Sequence, residues 1–373
     1  MTELFVRIIN KIARMLKLDK FYYWIRYLCE NETCRLSVVE AQEILNSYAP
    51  QPDSTAITKN KILDKKYDLA IIIPSYNSEK WIQECLDSVL QQKTIYRYKV
   101  IVINDGSTDQ TLRIIQLYRK KYPQLFLIDQ KNKGYSGARN VALKEIESKY
   151  IMFVDSDDIL LEGAISALMD TAIKNNADIV EGSAYAFNEK GNVYDIKKDN
   201  CINTRENLWG GPCLKVIRSE LMERLEFPEG YLYEDTMINY LLYPQANTIS
   251  TISNYVYGYR IHEASITQKH LNNPNRVDSF WIMLLMHKNM QELGIRIDYN
   301  RYKLTMDHIV RTYRRCVLLD DKVNKSIFIL TRQFLIDNYS DFLGENDKYK
   351  RLVNAIYNNK YGKYCIVCKR FQF

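Results

Sequence analysis

Three carboxylates, Asp155, Asp157 and Asp158, stand within four positions directly after the apolar run Ile151–Val154. Carboxylates this close repel one another and resist burial, so the stretch is either a solvated turn or the seat of a cation. Hard divalent cations such as Mn²⁺ or Mg²⁺ favour carboxylate oxygens, and Mg²⁺ is often held by one or two of them plus substrate phosphates. On the cation reading, Asp155 and Asp157, two aspartates separated by one residue, bind metal and ribose together. Asp155 serves the metal or a ribose hydroxyl, and Ser156 lies between them. Taken alone, an Asp-rich turn is more often a cap: Asp157 or Asp158 suits the start of a helix expected over 162–175, and Asp158 is read as such a cap or as outer support.

Three other segments share this character. "NDGSTD" (104–109) brings Asp105, which can accept hydrogen bonds from a base N–H or ribose hydroxyls, while Gly106 suits a tight turn and Thr108 or Asp109 a cap. "GYSGARN" (134–140) places Gly134 and Gly137 ahead of a helix with Arg139 and Asn140 in its first turn, a composition suited to phosphate or nucleobase contacts. "PSYNSEKW" (74–81) has no glycine, no GxGxxG follows any strand, and no Gly-Lys-Ser/Thr occurs. Dinucleotide and P-loop schemes are therefore disfavoured.

These segments need a scaffold that brings them together. Short apolar runs alternate with amphipathic stretches: "LAIII" 69–73 and a helix over 79–92, "KVIVI" 99–103 and a helix over 109–122, "LFLI" 125–128 and a helix from about 137, "YIMFV" 150–154 and the helix over 162–175, then "DIVEG" 178–182. Such alternation predicts parallel strands with right-handed crossovers in a doubly wound α/β domain. All four polar segments then follow strands and line one edge of the sheet, where ligands of open α/β sheets bind.

The rest of the chain reads more coarsely. Residues 1–46 form an N-terminal helical segment in which apolar and basic residues interleave over 4–28, a pattern for an anionic membrane surface or for packing on protein, including a second copy. Residues 47–66 read as a linker, 67–270 as the main domain, and 271–373 as a helical region with helices over 276–293, 301–319 and 325–339. The chain has 373 residues, 46% of them apolar, 29 tyrosines read chiefly as core, and a net charge of +7 that is spread rather than massed. Such a balance favours anionic partners only weakly, and nucleic acid is not among the expected partners. The eight cysteines, including Cys365 and Cys368, read as reduced thiols. With no apolar run near the roughly 20 residues of a membrane span, the expected location is the cytoplasm, at the inner face of the membrane if the first helix binds lipid.

"IIIPSYNSEKWIQECLDSVLQQ", "VIVINDGSTDQT", "NKGYSGARNVAL" and "YIMFVDSDD", in this order and spacing, resemble family 2 glycosyltransferases over about residues 67–270. The resemblance implies a GT-A fold, a Rossmann-like doubly wound mixed sheet, and a nucleotide-diphosphate sugar donor, most often uridine-based. It assigns Pro74, Tyr76, Asn77 and Asp105 to the nucleoside, the Gly134–Asn140 region to the nucleotide side, and Asp155 with Asp157 to the metal bridging the diphosphate. It also implies a lysine segment, an acidic pair ending in the general base, and an arginine before Ser-Ile. Lys215, Glu234, Asp235, Arg260 and Ser265 match these, and His262 lies near the expected diphosphate region. Asp235 also has a helix-capping alternative. The reaction implied is inverting transfer to a hydroxyl of a glycan or lipid-linked glycan in surface-polysaccharide synthesis. Rival readings are a sugar nucleotidyltransferase, which wants a Gly-rich loop after the first strand, and a non-catalytic nucleotide-sugar-binding subunit.

Overall fold

The computed structural model of the chain describes residues 32–59, 65–197, 203–205, 208–262, 273–342 and 348–373. The helix expected over 4–28 and Ser265 lie outside the described residues. In chain order the elements are α1 (Val38–Tyr48), β1 (Tyr67–Ser75), α2 (Ile82–Leu90), β2 (Tyr98–Asp105), α3 (Thr111–Lys121), β3 (Leu125–Gln130), α4 (Gly134–Leu143), β4 (Ser148–Phe153), β5 (Ile159–Leu160) and α5 (Ala164–Lys174). There follow β6 (Ile179–Asn188), β7 (Val193–Lys197), β8 (Lys215–Arg218), a π-helical turn (Ile238–Leu242), β9 (Ile249–Ile261), α6 (Asp278–Glu292), α7 (Tyr299–Cys316), α8 (Asp321–Tyr339), α9 (Lys350–Tyr357) and α10 (Tyr361–Arg370). They divide into two compact units, residues 53–269 with 286–295, and residues 1–52 with 270–285 and 296–373.

The first unit is built on one mixed sheet. Among the described residues its order is β3-β2-β1-β4-β8-β6-β9-β5, with β7 paired to β6. β3, β2, β1 and β4 run parallel, β8 is antiparallel to both neighbours, and β6 and β9 are parallel. Leu69–Ile73 are fully buried, as expected of a strand covered on both faces. Helices α2, α3 and α5 start two or three residues inside the expected ranges, but α4 begins at Gly134, so Arg139 and Asn140 sit in its second turn. The short strand expected at 178–182 continues to Asn188, where the run from Glu181 to Ala184 is buried and its neighbour β9 is thirteen residues long.

Part of the stretch read as a linker is anchored in this unit. Ala56 is fully buried, its N–H donates to Asn289 Oδ1 at 3.0 Å and its carbonyl accepts from Glu226 N, while Ile57 bridges Leu225.

The second unit is helical. Ser37 and Glu40 form a reciprocal capping box that starts α1, which buries Ala41 and Leu45 and packs on α8. Asn359 accepts from Cys34 N and donates to Cys34 O, and Lys325 pairs with Glu32 at 2.8 Å. Residues 32–49 therefore share a core with the C-terminal helices. Tyrosines supply much of that core, with Tyr302, Tyr339, Tyr349, Tyr361 and Tyr364 all enclosed. The basic, aromatic C-terminal stretch is a helix whose Cys365 and Cys368 are buried free thiols.

Candidate active site

Every described residue of the site belongs to the sheet-bearing unit. At the carboxyl ends of β1 and β2 the two loops are stitched together. Asn77 adopts a left-handed backbone with φ 47°, which lets its Oδ1 accept from Thr108 N at 2.8 Å while its own N–H donates to Ser107 Oγ. Asp109 accepts from Glu79 N and from Thr111 N, and Glu79 accepts from Gln110 N at 2.8 Å. The side chain of Asn77 thus holds the loops, while Tyr76 beside it is half exposed and faces outward. Pro74 is buried in β1, paired with Ile103.

Asp105, buried at the end of β2, accepts at Oδ1 from Gln130 Nε2 (2.7 Å) and Lys133 N (2.8 Å). Gly106 follows with φ 72°, and a Cβ there would lie 2.8 Å from Asn132 N, so only glycine lets the strand turn this tightly against the start of α4. Within α4 the two polar residues part company. Asn140 is buried and makes a two-way bond with Phe227, donating to its carbonyl and accepting from its N–H, each at 2.8 Å. Its amide is engaged by the backbone leading to Glu234.

Arg139 is the junction of the site. Its guanidinium lies over Phe227, with Nη1 2.7 Å from Glu234 Oε1 and Nη2 3.2 Å from Asp155 Oδ1. One buried cation therefore joins the DSDD turn to the Glu234–Asp235 segment, 79 residues apart by the difference between 234 and 155. Burial and the charge of Asp235 raise the Glu234 carboxyl to about 7 despite Arg139. Asp235 is half-buried, and its carbonyl accepts from Ile238 N as the chain enters the π-helical turn.

In the DSDD turn the carboxylates divide. Asp155 and Asp157 keep 36% and 35% of their side chains exposed, enough to reach a ligand, and Ser156 between them is half-buried. Asp158 is buried and accepts from Tyr257 OH and from Arg260 N, both at 2.7 Å. It caps no helix, since α5 starts from Gly163 with a left-handed backbone and no side-chain cap. Its carboxyl is pushed well up by burial and then by Asp157 and Asp155. Tyr257 also accepts from Asp155 N, so β9 braces the turn from both sides.

Arg260 and Lys215, expected among the nucleotide-sugar-binding residues, make these contacts in the structure. Arg260 is mostly buried over Phe187, donating through Nε to Asp157 O (2.7 Å) and pairing through Nη2 with Glu84 (2.6 Å). It fixes the turn rather than facing a ligand. Lys215 is wholly enclosed. It pairs with Glu181 at 2.6 Å and donates to Trp209 O, Gly211 O and Tyr243 OH, and burial lowers its pKa against the pull of Glu181. No solvent path reaches its ammonium, so it supports the 209–211 loop. His262 bonds Asp157 Oδ2 through Nε2 at 2.8 Å, and its ring centroid lies 4.1 Å from that of Trp81 at a 34° tilt.

Glu181, Tyr257, Glu84 and Trp209 escaped the sequence reading. Glu181 carried a signal: a lone carboxylate in an apolar strand must find a buried cation.

The turn can be tested for a divalent cation. Two half-exposed carboxylates offer hard oxygens, and burial together with the charge of Asp155 raises the Asp157 carboxyl, a cost that a cation would relieve. No cluster of three or more His, Cys, Asp or Glu suited to a metal occurs among the described residues, so the remaining donors would come from a ligand or water. The residues fit a cation shared with a diphosphate.

Residues 70–225 match the family model described as glycosyl transferase family 2. Over those residues the chain is similar to family 2 glycosyltransferases. It is 30% identical over 223 residues to glycosyltransferase GlyA of Streptococcus pneumoniae, covering 54% of this chain and 31% of that protein. Over 202 residues it is 33% identical to the poly(ribitol-phosphate) beta-N-acetylglucosaminyltransferase TarS of Staphylococcus aureus, covering 51% of this chain and 35% of TarS. The chain thus spans about a third of the length of these relatives. The crystal structure of TarS 1–349 superposes with a TM-score of 0.60 at 21% identity, covering 81% of this chain and 90% of that one. The fold of the glycosyltransferase domain is the α/β GT-A type. Among the described residues no helix is long and apolar enough to cross a membrane.

Proposed function

We propose that the protein is an inverting glycosyltransferase that moves a sugar from a nucleotide-diphosphate sugar, UDP-linked, to an acceptor hydroxyl on a glycan or lipid-linked glycan in cell-surface polysaccharide synthesis. The observation that carries this reading is the Arg139 bridge, which brings the metal-type carboxylate pair and the acidic pair Glu234–Asp235 into one site at the carboxyl ends of parallel strands. A crystal structure of TarS 1–349 in complex with UDP-GlcNAc, with a TM-score of 0.53 at 20% identity, supports a UDP-sugar as donor. Hexosyl or N-acetylhexosaminyl transfer both fit.

In this reading Tyr76 flanks the nucleoside and Asp105 positions it, with its Oδ1 held by Gln130 and Lys133. Asp155 and Asp157 would hold Mn²⁺ or Mg²⁺, which when bound supplies Lewis-acid neutralisation of the diphosphate. Asp235 takes the proton of the acceptor hydroxyl as its oxygen bonds to the anomeric carbon and the bond to the nucleotide diphosphate breaks. One displacement inverts the configuration. Glu234, paired to Arg139, keeps the base segment in register with the metal turn. Residues 4–28 would bring the enzyme to an anionic leaflet.

The reading is tested by measuring nucleoside diphosphate release over a panel of nucleotide sugars with Mn²⁺, Mg²⁺ or chelator, and the anomeric configuration of the product by NMR. Release from a UDP-sugar that needs the metal, with inversion, is expected. Retention of configuration, or pyrophosphate release from a nucleoside triphosphate instead, would overturn it.

A further inference from the structure

The 209–211 loop is held by more charge than a surface loop needs. Trp209 N donates to both oxygens of Glu181, at 2.8 and 3.0 Å, and Trp209 O accepts from Lys215 at 2.6 Å and from Tyr243 OH. Glu181 and Lys215 are both 0% exposed, and Lys197 adds a second cation to Glu181 at 2.7 Å. Burying such a pair is unfavourable until its partners compensate the lost hydration. What this clamp presents is a large side chain left 39% exposed, the indole of Trp209.

The indole lies beside the acidic pair. A Cβ on Gly211 would sit 3.1 Å from Trp209 Nε1 and 3.9 Å from Asp235 Oδ2, so ring and carboxylate border the same small space above that glycine. Gly210 is hemmed in by Asn239, whose amide nitrogen would be 2.8 Å from an added Cβ. Any side chain on Gly211 would fill the gap between them.

We infer that Trp209 is the acceptor platform: the apolar face of a pyranose ring rests on the indole, which sets one ring hydroxyl towards Asp235. An indole offers a flat apolar surface with a donor at its edge, matching a sugar with a C–H face and equatorial hydroxyls. A polyol phosphate chain has no ring to stack and gains little from it. The inference deepens the glycosyltransferase reading and names its acceptor class as a pyranosyl-terminated glycan. Glu181 and Lys215 are positioning residues for the platform.

The test uses the full chain and equilibrium binding, so that it does not depend on turnover. A panel of pyranosyl oligosaccharides and a short poly(ribitol phosphate) are titrated against wild type, Trp209→Ala and Trp209→Phe, with UDP titrated in parallel and thermal melting as the folding control. The expected result is binding of at least one pyranosyl oligosaccharide that falls tenfold or more in Trp209→Ala, is largely kept in Trp209→Phe, and leaves UDP affinity within twofold. Equal oligosaccharide binding by Trp209→Ala, or binding of poly(ribitol phosphate) alone, overturns the platform while leaving the donor site standing. Absence of UDP binding in wild type sinks the transferase reading separately.

Discussion

Lys215→Met removes one partner of a buried ion pair and three further donor contacts, and its consequence can be worked from the geometry. Breaking a buried pair from one side costs about 3–5 kcal/mol, because the remaining charge stays enclosed. Here Glu181 retains Lys197 at 2.7 Å, which places the loss at about 3 kcal/mol. For a unit of this size each kcal/mol moves the melting temperature by about 2–4 °C, giving a drop of roughly 6–12 °C. Adding Glu181→Gln removes the stranded charge and should recover a large part of it. Scanning calorimetry or tryptophan fluorescence reads the melt, and UDP affinity is measured below the transition. Affinity within twofold of wild type is expected, since Lys215 is enclosed on all sides. An unchanged melt would contradict the enclosed ion pair, and a tenfold weaker UDP affinity in a variant that melts normally would put the ammonium on the ligand.

Three further outcomes follow from the same structure. Asp157→Ala should abolish the stimulation of transfer by Mn²⁺ or Mg²⁺, and chelator should do the same to wild type; full activity in chelator would assign the two exposed carboxylates to something else. His308 is buried, bonded to Ser279 O at 2.8 Å, and held down to about 3 by burial and Arg315, so it is neutral when folded and takes up a proton on unfolding below about pH 6.5. Its share of stability is present above that pH and lost on acidification, about 2 kcal/mol between pH 7 and 5, so denaturant midpoints of His308→Gln should fall less over that range than those of wild type, and parallel curves would contradict it. Deleting residues 2–28 while keeping the α1 core should end sedimentation with anionic vesicles, as the proposed membrane role of residues 4–28 requires; equal binding by both chains removes that proposal.

Strand and helix order was legible because parallel strands buried on both faces read as unbroken apolar runs, as Leu69–Ile73 and Val100–Ile103 do. The four polar segments at the strand ends were legible too, since carboxylates and glycines there resist any purely apolar account. What each polar atom touches was not. Asn140, Lys215 and Arg260 have the residue types of phosphate or base contacts, yet each is turned inward onto a backbone or a carboxylate that only the tertiary fold supplies. Asp158 looked like a cap because the sequence does not reveal that Tyr257 and Arg260, about a hundred residues on, arrive beside it on β9. The union of residues 32–49 with the C-terminal helices was hidden for the same reason, resting on contacts such as Cys34 with Asn359 across more than 300 positions.

In the proposed mechanism Asp235 takes the acceptor's proton in a site where Asp155 and Asp157 would hold the metal. The most direct measurement is the rate of acceptor-dependent UDP release by Asp235→Asn against wild type, at saturating donor and Mn²⁺. A fall of about a hundred- to ten-thousand-fold is expected, the usual worth of a general base, with UDP affinity unchanged. Transfer at a near-normal rate by Asp235→Asn would contradict it.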